Sequence, residues 1–149
     1  MSVQAARAPS PQPQILLRET IGSIAVLTLN RPAARNSLSE AMIASLHAEL
    51  NEIRDDKAVR GVVIAANGPA FSAGHDMKEL TARRSDADRG RAYFGQIMNA
   101  CSAMMQAVVQ LPKPVVAAVQ DPVADAVERR VAAGRQLGQV PDGDPGQPG

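Results

Sequence analysis

The chain has 149 residues, of which 45% are hydrophobic and 21% charged, and its formal net charge at pH 7 is +1. This composition is typical of one globular domain, and the small charge argues against partners such as nucleic acid or an anionic membrane. Cys101 is the only cysteine, which excludes an internal disulfide and favours a reducing, cytoplasmic location. No apolar run reaches membrane-spanning length.

The first 14 residues, MSVQAARAPSPQPQ, are rich in proline and glutamine and offer little for a core to bury. We interpret residues 1–14 as a flexible leader and expect order to begin at Ile15. After Gly22, the alternation in residues 23–30 predicts a β-strand. Pro32 ends this strand, because proline restricts the residue before it and lacks an N–H donor.

A helix is predicted next, because apolar residues recur at helical spacing and form one buried stripe. The stripe comprises Met42, Ile43, Leu46, Leu50 and Ile53. Either Ser37 or Ser39 is suited to cap this helix, and Ser37 has the spacing of a capping box with Glu40. Residues 55–57 (DDK) end it.

Residues 61–66 (GVVIAA) are apolar without alternation, which is typical of a parallel strand covered on both faces. A second long helix follows, with apolar residues from Phe94 to Val108, and we interpret its methionines as adaptable core. Residues 115–119 predict another buried strand. The order is βαβαβ, with a right-handed crossover, and the fold class is α/β.

The last 29 residues, 121–149, end in a stretch of glycine, proline, glutamine and aspartate with almost nothing apolar. This composition predicts a largely disordered tail, apart from a short helix at residues 124–137 that Gly134 weakens. The predicted organisation is therefore a leader at 1–14, a domain at 15–120 and a tail at 121–149.

The sequence FSAGHDMKEL at residues 71–80 directly follows the buried strand, and ligands bind at the carboxyl ends of strands in open α/β sheets. Gly74 permits a backbone conformation that a Cβ atom disfavours, and Asp76 is placed to cap a short helix. Unpaired N–H groups in such a turn form an anion or oxyanion site. The alternative, favoured on these residues alone, is a turn that merely connects a strand to a helix.

Four motifs together resemble the crotonase superfamily, the enoyl-CoA hydratase/isomerase family. They are NRP at 30–32, NSL at 36–38, FSAGHDMKEL at 71–80 and PKPVVAAV at 112–119. The resemblance covers about residues 15–120, and the order and spacing of the motifs make it specific. It implies an incomplete crotonase-like ββα spiral core. It also implies an acyl-CoA thioester as ligand, with CoA present as part of the substrate and no other cofactor or metal.

The resemblance further implies an oxyanion hole, in which two backbone N–H groups hold the thioester carbonyl. His75, directly after the motif glycine, corresponds to one donor through its backbone N–H, whereas a general-base role for its imidazole is less favoured. The residues implied to border the CoA are Arg35, Ala73, His75, Asp76, Met77 and Lys78. The alternatives for Arg35 and Lys78 are a solvated loop arginine and an exposed helix lysine.

The sequence departs from the family after Gln120. A glycine-rich turn is expected there to supply the second donor, and two glutamates are expected to form the acid/base pair of hydration. Asp121 and Pro122 stand in that place instead. Residues 132–137 (AAGRQL) are weakly similar to the missing turn, and the alignment would put Gln136, which cannot transfer a proton, where a glutamate belongs.

We therefore expect a truncated or frameshifted chain that is catalytically impaired, although the family implies an enoyl-CoA hydratase. The family also implies a trimer or hexamer, but the segment that contributes to trimer packing is expected to be missing. The alternative function is a non-catalytic CoA-binding remnant, or an interaction partner of a full-length relative.

Overall fold

The structure is a computed structural model that describes residues 14–119. The predicted leader, apart from Gln14, and the predicted tail lie outside the described residues. Four strands and three α-helices make up the described part. The strands are β1 (Leu16–Ile21), β2 (Ile24–Leu29), β3 (Gly61–Ala66) and β4 (Val115–Ala117), and the helices are α1 (Glu40–Asp55), α2 (Met77–Ala82) and α3 (Arg91–Val109).

The strands form one sheet in the order β1-β2-β3-β4. Strands β2, β3 and β4 are parallel, so the predicted succession of βαβ units is confirmed. Strand β1 was not predicted. It pairs antiparallel with β2 across a turn at Gly22, and it escapes pattern analysis because four of its six residues are exposed at the edge of the sheet.

Helix α1 buries the five predicted apolar residues against the sheet. Its N-cap is Ser39, whose Oγ accepts a hydrogen bond from the Met42 N–H at 3.2 Å. The predicted capping box of Ser37 and Glu40 is wrong, because Glu40 is already the first helical residue. The Ser37 hydroxyl donates instead to the distant Asp76 carboxylate.

The second apolar stripe is only partly core. Ile97 and Met104 of α3 are buried, whereas Phe94 and Met105 are 53% and 56% exposed. Strand β4 is shorter than predicted, and Val116 within it is 59% exposed. The prediction of a buried strand is therefore wrong for β4, since its three residues are half-buried or exposed.

The core lies between the sheet and the two long helices. It consists of aliphatic and methionine side chains from β2, β3, α1 and α3, including Leu27, Leu29, Met42, Leu50, Val62, Ile97 and Met104. Within residues 14–119, none of the helices combines the length and the apolarity that crossing a bilayer requires.

Candidate functional site

The segment between β3 and α2 carries the sequence motif, and it is held against the loop that follows β2. The Leu38 N–H donates to the Gly74 carbonyl at 2.7 Å, and the Asp76 N–H donates to the Leu38 carbonyl at 3.1 Å. These two bonds make a single parallel β-bridge between Leu38 and His75. Two chain segments that follow neighbouring parallel strands thus meet at the carboxyl edge of the sheet.

The backbone N–H of His75 points away from this bridge. In an extended segment, successive peptide groups face opposite sides. Because the Gly74 carbonyl and the Asp76 N–H both face Leu38, the His75 N–H faces the other way. It donates to no group of residues 14–119.

Gly74 gives the turn its shape. Its φ angle is +82°, in the left-handed region that a Cβ atom disfavours. A Cβ built at Gly74 would meet nothing within 4 Å, so the need for glycine is conformational and does not come from crowding.

The His75 imidazole is a separate feature of the same residue. The side chain is half-buried, and its Nε2 atom is buried without a hydrogen-bond partner in the described part. Within residues 14–119, both the side-chain Nε2 and the backbone N–H of His75 thus lack a hydrogen-bond partner.

Asp76 is buried and anchors the start of α2. Its Oδ1 accepts from the Lys78 N–H at 3.0 Å, which confirms the predicted helix cap. Its Oδ2 accepts from Arg31 Nη2 at 3.1 Å and from Ser37 Oγ at 3.2 Å. Burial by itself raises the pKa of Asp76. The bonds from Arg31, from two backbone N–H groups of α2 and from Ser37 outweigh it, so the pKa lies below its ordinary value of 3.8.

The loop at 31–38 has an unusual backbone of its own. Arg35 and Asn36 are consecutive non-glycine residues with φ angles of +50° and +51°. Asn36 is fully buried, accepts from the Arg31 N–H at 2.7 Å, and donates to the carbonyls of Asn67 and Ala70, each at 2.8 Å. Three good hydrogen bonds offset the strain of this conformation.

Arg31 and Asn36 lie within the motifs at 30–32 and 36–38, but no role was predicted for either residue from the sequence. The available signal was a cluster of polar residues just after β2, whose carboxyl end lies beside that of β3 in a parallel sheet.

All six residues predicted to border CoA line one surface cleft of about 500 Å³. They are Arg35, Ala73, His75, Asp76, Met77 and Lys78. Arg31 also lines the cleft, and its charge is paired with Asp76. Arg35 and Lys78 are exposed and form no ion pair with the other described residues, so both remain able to contact an anion.

A second cleft, of about 330 Å³, lies beside the first and shares Met77 with it. Apolar side chains, among them Leu80 and Phe94, line it together with Arg84 and Arg89. Both clefts therefore contain cationic side chains, and the second adds the apolar surface of Leu80 and Phe94.

Comparisons with known proteins assign the chain to a family and a fold. A model of the enoyl-CoA hydratase/isomerase family matches residues 19–126. The chain belongs to this family.

Individual relatives match most of the chain. Human enoyl-CoA hydratase domain-containing protein 3, named as mitochondrial, is 34% identical over 122 residues, which are 82% of this chain and 39% of the relative. The crystal structure of an enoyl-CoA hydratase from Mycobacterium smegmatis is 42% identical, with a TM-score of 0.64 over 71% of this chain and 40% of that one. The crystal structure of the same human protein gives a TM-score of 0.64 at 34% identity. The chain thus spans about two fifths of the length of these relatives.

Proposed function

We propose that this chain binds acyl-CoA thioesters, with the thioester oxygen accepting a hydrogen bond from the His75 N–H. The observation that carries the proposal is the direction of that N–H. It faces away from Leu38, finds no acceptor in the described part, and belongs to a residue that lines the cleft. The family membership supplies the ligand class.

The charges of the cleft suit such a ligand. Arg35 and Lys78 supply two cations that are not neutralised by described residues, and CoA carries several phosphate charges. In the second cleft, Met77, Leu80 and Phe94 supply apolar surface that suits an acyl chain. The ligand would then extend from Arg35 and Lys78, past the His75 N–H, toward Phe94.

An unpaired backbone donor is suited to stabilising an enolate. Removing a proton next to a thioester moves negative charge onto the thioester oxygen, and a fixed N–H dipole stabilises that charged state more than the neutral ester. Losing one such donor costs roughly 3 kcal/mol of transition-state stabilisation in enzymes that use them. This is the chemistry that His75 would contribute.

We propose that turnover is impaired, because the described residues of the cleft offer no suitable group for proton transfer. Asp76 is the only carboxylate among the described residues that line the cleft. Arg31, Ser37 and the Lys78 N–H occupy its oxygens, and its lowered pKa makes it a poor base. The described residues of the cleft therefore supply no carboxylate that is suited to transfer a proton.

The proposal is tested by titrating the 149-residue chain with crotonyl-CoA and with CoA in a calorimeter. We expect binding of both, with tighter binding of crotonyl-CoA because free CoA lacks the thioester carbonyl that would accept from the His75 N–H. Hydration is followed in parallel as loss of the enoyl absorbance, and little or none is expected. Absence of binding to either ligand would refute the proposed function, and rapid hydration would refute the impairment.

The exposed apolar side chains of α3 and β4 favour a second candidate, which is association with another protein of the family. Phe94, Met105 and Val116 are each more than half exposed, and apolar surface of this kind is often covered by a partner. Light scattering of the chain mixed with a full-length relative tests this function, since a complex heavier than either component is expected. We also propose a cytoplasmic location, supported by the lone cysteine and testable by cell fractionation.

A further inference from the structure

A continuous line of hydrogen bonds runs from the Arg31 side chain to the His75 N–H. Arg31 Nη1 donates to the Ser37 carbonyl at 2.9 Å. That carbonyl belongs to the same peptide group as the Leu38 N–H, which donates to the Gly74 carbonyl at 2.7 Å. The Gly74 carbonyl in turn shares its peptide group with the His75 N–H. Two peptide groups therefore connect the guanidinium to the unpaired donor.

The geometry of the peptide group makes this line directional. A trans peptide is planar, and its C=O and N–H point in opposite directions. A donor that holds the carbonyl at one end therefore also sets where the N–H at the other end points. Here the cation holds the first peptide group, and the first holds the second.

The line also transmits polarisation. A cation at a carbonyl oxygen draws electron density toward that oxygen and makes the N–H of the same peptide a stronger donor. Linked hydrogen bonds strengthen one another by about 10–30% per bond. The effect is favoured where water is excluded, and the side chain of Arg31 is only 24% exposed.

The guanidinium is itself held in place. Arg31 Nη2 binds the Asp76 carboxylate at 3.1 Å, and Nη1 also contacts Ser37 Oγ at 3.3 Å. The Arg31 backbone N–H donates to the buried Asn36 side chain at 2.7 Å. Bonds at both the side chain and the backbone thus restrict the cation to one position.

We propose that Arg31 is a positioning residue for the oxyanion donor, and that its charge orients and polarises the His75 N–H through the peptide groups of Ser37–Leu38 and Gly74–His75. This inference rests on the proposed function, because it assigns a purpose to that N–H. It assigns to Arg31 a role other than direct contact with the CoA phosphates.

The test is difference infrared spectroscopy of crotonyl-CoA labelled with ¹³C at the thioester carbonyl, bound to the wild type and to Arg31→Gln. A hydrogen bond lowers the carbonyl stretching frequency, so the wild type is expected to show a shift to lower frequency. Two linked bonds that each add about 10–30% make the donor about 1.2 to 1.7 times stronger, so the loss of the cation is expected to reduce that shift by roughly 20–40%. Arg31→Lys, which keeps the charge, is expected to retain more of the shift than Arg31→Gln.

Arg18→Gln is the matched control. Arg18 pairs with three carboxylates of α1 and its C-cap, none of which lines the cleft. Its loss is expected to leave the carbonyl frequency unchanged.

The infrared and affinity results distinguish a positioning role of Arg31 from a contact with the CoA phosphates and from failure of the proposed function. If Arg31→Gln keeps the full shift, the positioning role is overturned, and an equal loss of affinity for CoA and crotonyl-CoA would then mark Arg31 as a phosphate ligand. If the wild type binds crotonyl-CoA without any shift, or does not bind it, the proposed function fails instead.

A measurement on the wild type alone keeps the inference testable if the variants do not fold. The Leu38 N–H···O=C Gly74 bond is expected to give a through-hydrogen-bond NMR coupling in the protein without ligand. Absence of that coupling, with couplings present across β2 and β3, would overturn the proposed line of bonds.

Discussion

The guanidinium of Arg31 lies 3.1 Å from the carboxylate of Asp76, a residue 45 positions later in the chain. The side chains are 24% and 10% exposed, so this pair is shielded from water more than a surface ion pair is. It joins the loop after β2 to the first turn of α2. The position of the candidate site therefore depends on a contact between chain-distant segments.

This pair predicts a loss of stability in acid. Because the folded-state pKa of Asp76 is depressed, its contribution is complete above the unfolded value of about 3.8 and is lost as pH falls through the folded pKa. Asp76→Asn keeps an oxygen for the helix cap but lacks the charge. We expect it to lower the free energy of unfolding by about 2 kcal/mol at pH 7, a value between those typical of losing an exposed and a buried ion pair. Urea denaturation at several pH values tests this. The difference between wild type and variant should shrink below pH 4, and a difference independent of pH would contradict the assignment.

Gly74→Ala is expected to strain the turn without creating a clash. At a φ of +82° an alanine costs about 1 kcal/mol, and no neighbouring atom lies within 4 Å of the new methyl group. Gly22→Ala is the matched control, since Gly22 also has a positive φ, +61°, and open space around it. We expect both variants to lose similar stability in urea denaturation, while only Gly74→Ala weakens binding of crotonyl-CoA. Equal binding of crotonyl-CoA by both variants would show that the conformation of the Gly74 turn does not affect ligand binding.

Asn36→Ala removes three partly buried hydrogen bonds of a buried side chain at once. It leaves the Arg31 N–H and the carbonyls of Asn67 and Ala70 without their partner. At about 1 kcal/mol for each bond, we expect a loss of roughly 3 kcal/mol in the free energy of unfolding. Asn67→Ala, which removes one exposed side-chain bond to Asn30, should cost under about 1 kcal/mol. Similar losses for the two variants would show that burial at Asn36 matters little.

The isolated chain is expected to melt broadly and to self-associate, because α3 exposes apolar side chains. Met105→Glu places a charge at a residue that is 56% exposed, and it should reduce association in light scattering without lowering the melting temperature. Met104→Glu, at the neighbouring buried position, should instead destabilise the fold by several kcal/mol. A sharp, cooperative melt of a wild-type monomer would contradict this expectation.

Several elements were predictable from the sequence because their signals are local. The stripe from Met42 to Ile53 repeats with the period of a helix, and the apolar run GVVIAA marks strand β3, whose residues are buried or half-buried. The Asp76 cap depends only on its distance from Lys78 along the chain. Strand β1 and the exposed face of α3 were not predictable, since they depend on which neighbours each side chain meets.

The succession of β2, β3 and β4, the first long helix and the position of the motif after β3 were thus determined by the sequence itself, through periodic burial and residue spacing. Only the tertiary structure decided that Arg31 faces Asp76 and Ser37, and that Leu38 bonds to Gly74. These contacts join residues far apart in the chain through hydrogen bonds, which have no period. The direction of the His75 N–H follows from them, because a peptide group held at its carbonyl has its N–H fixed on the opposite side.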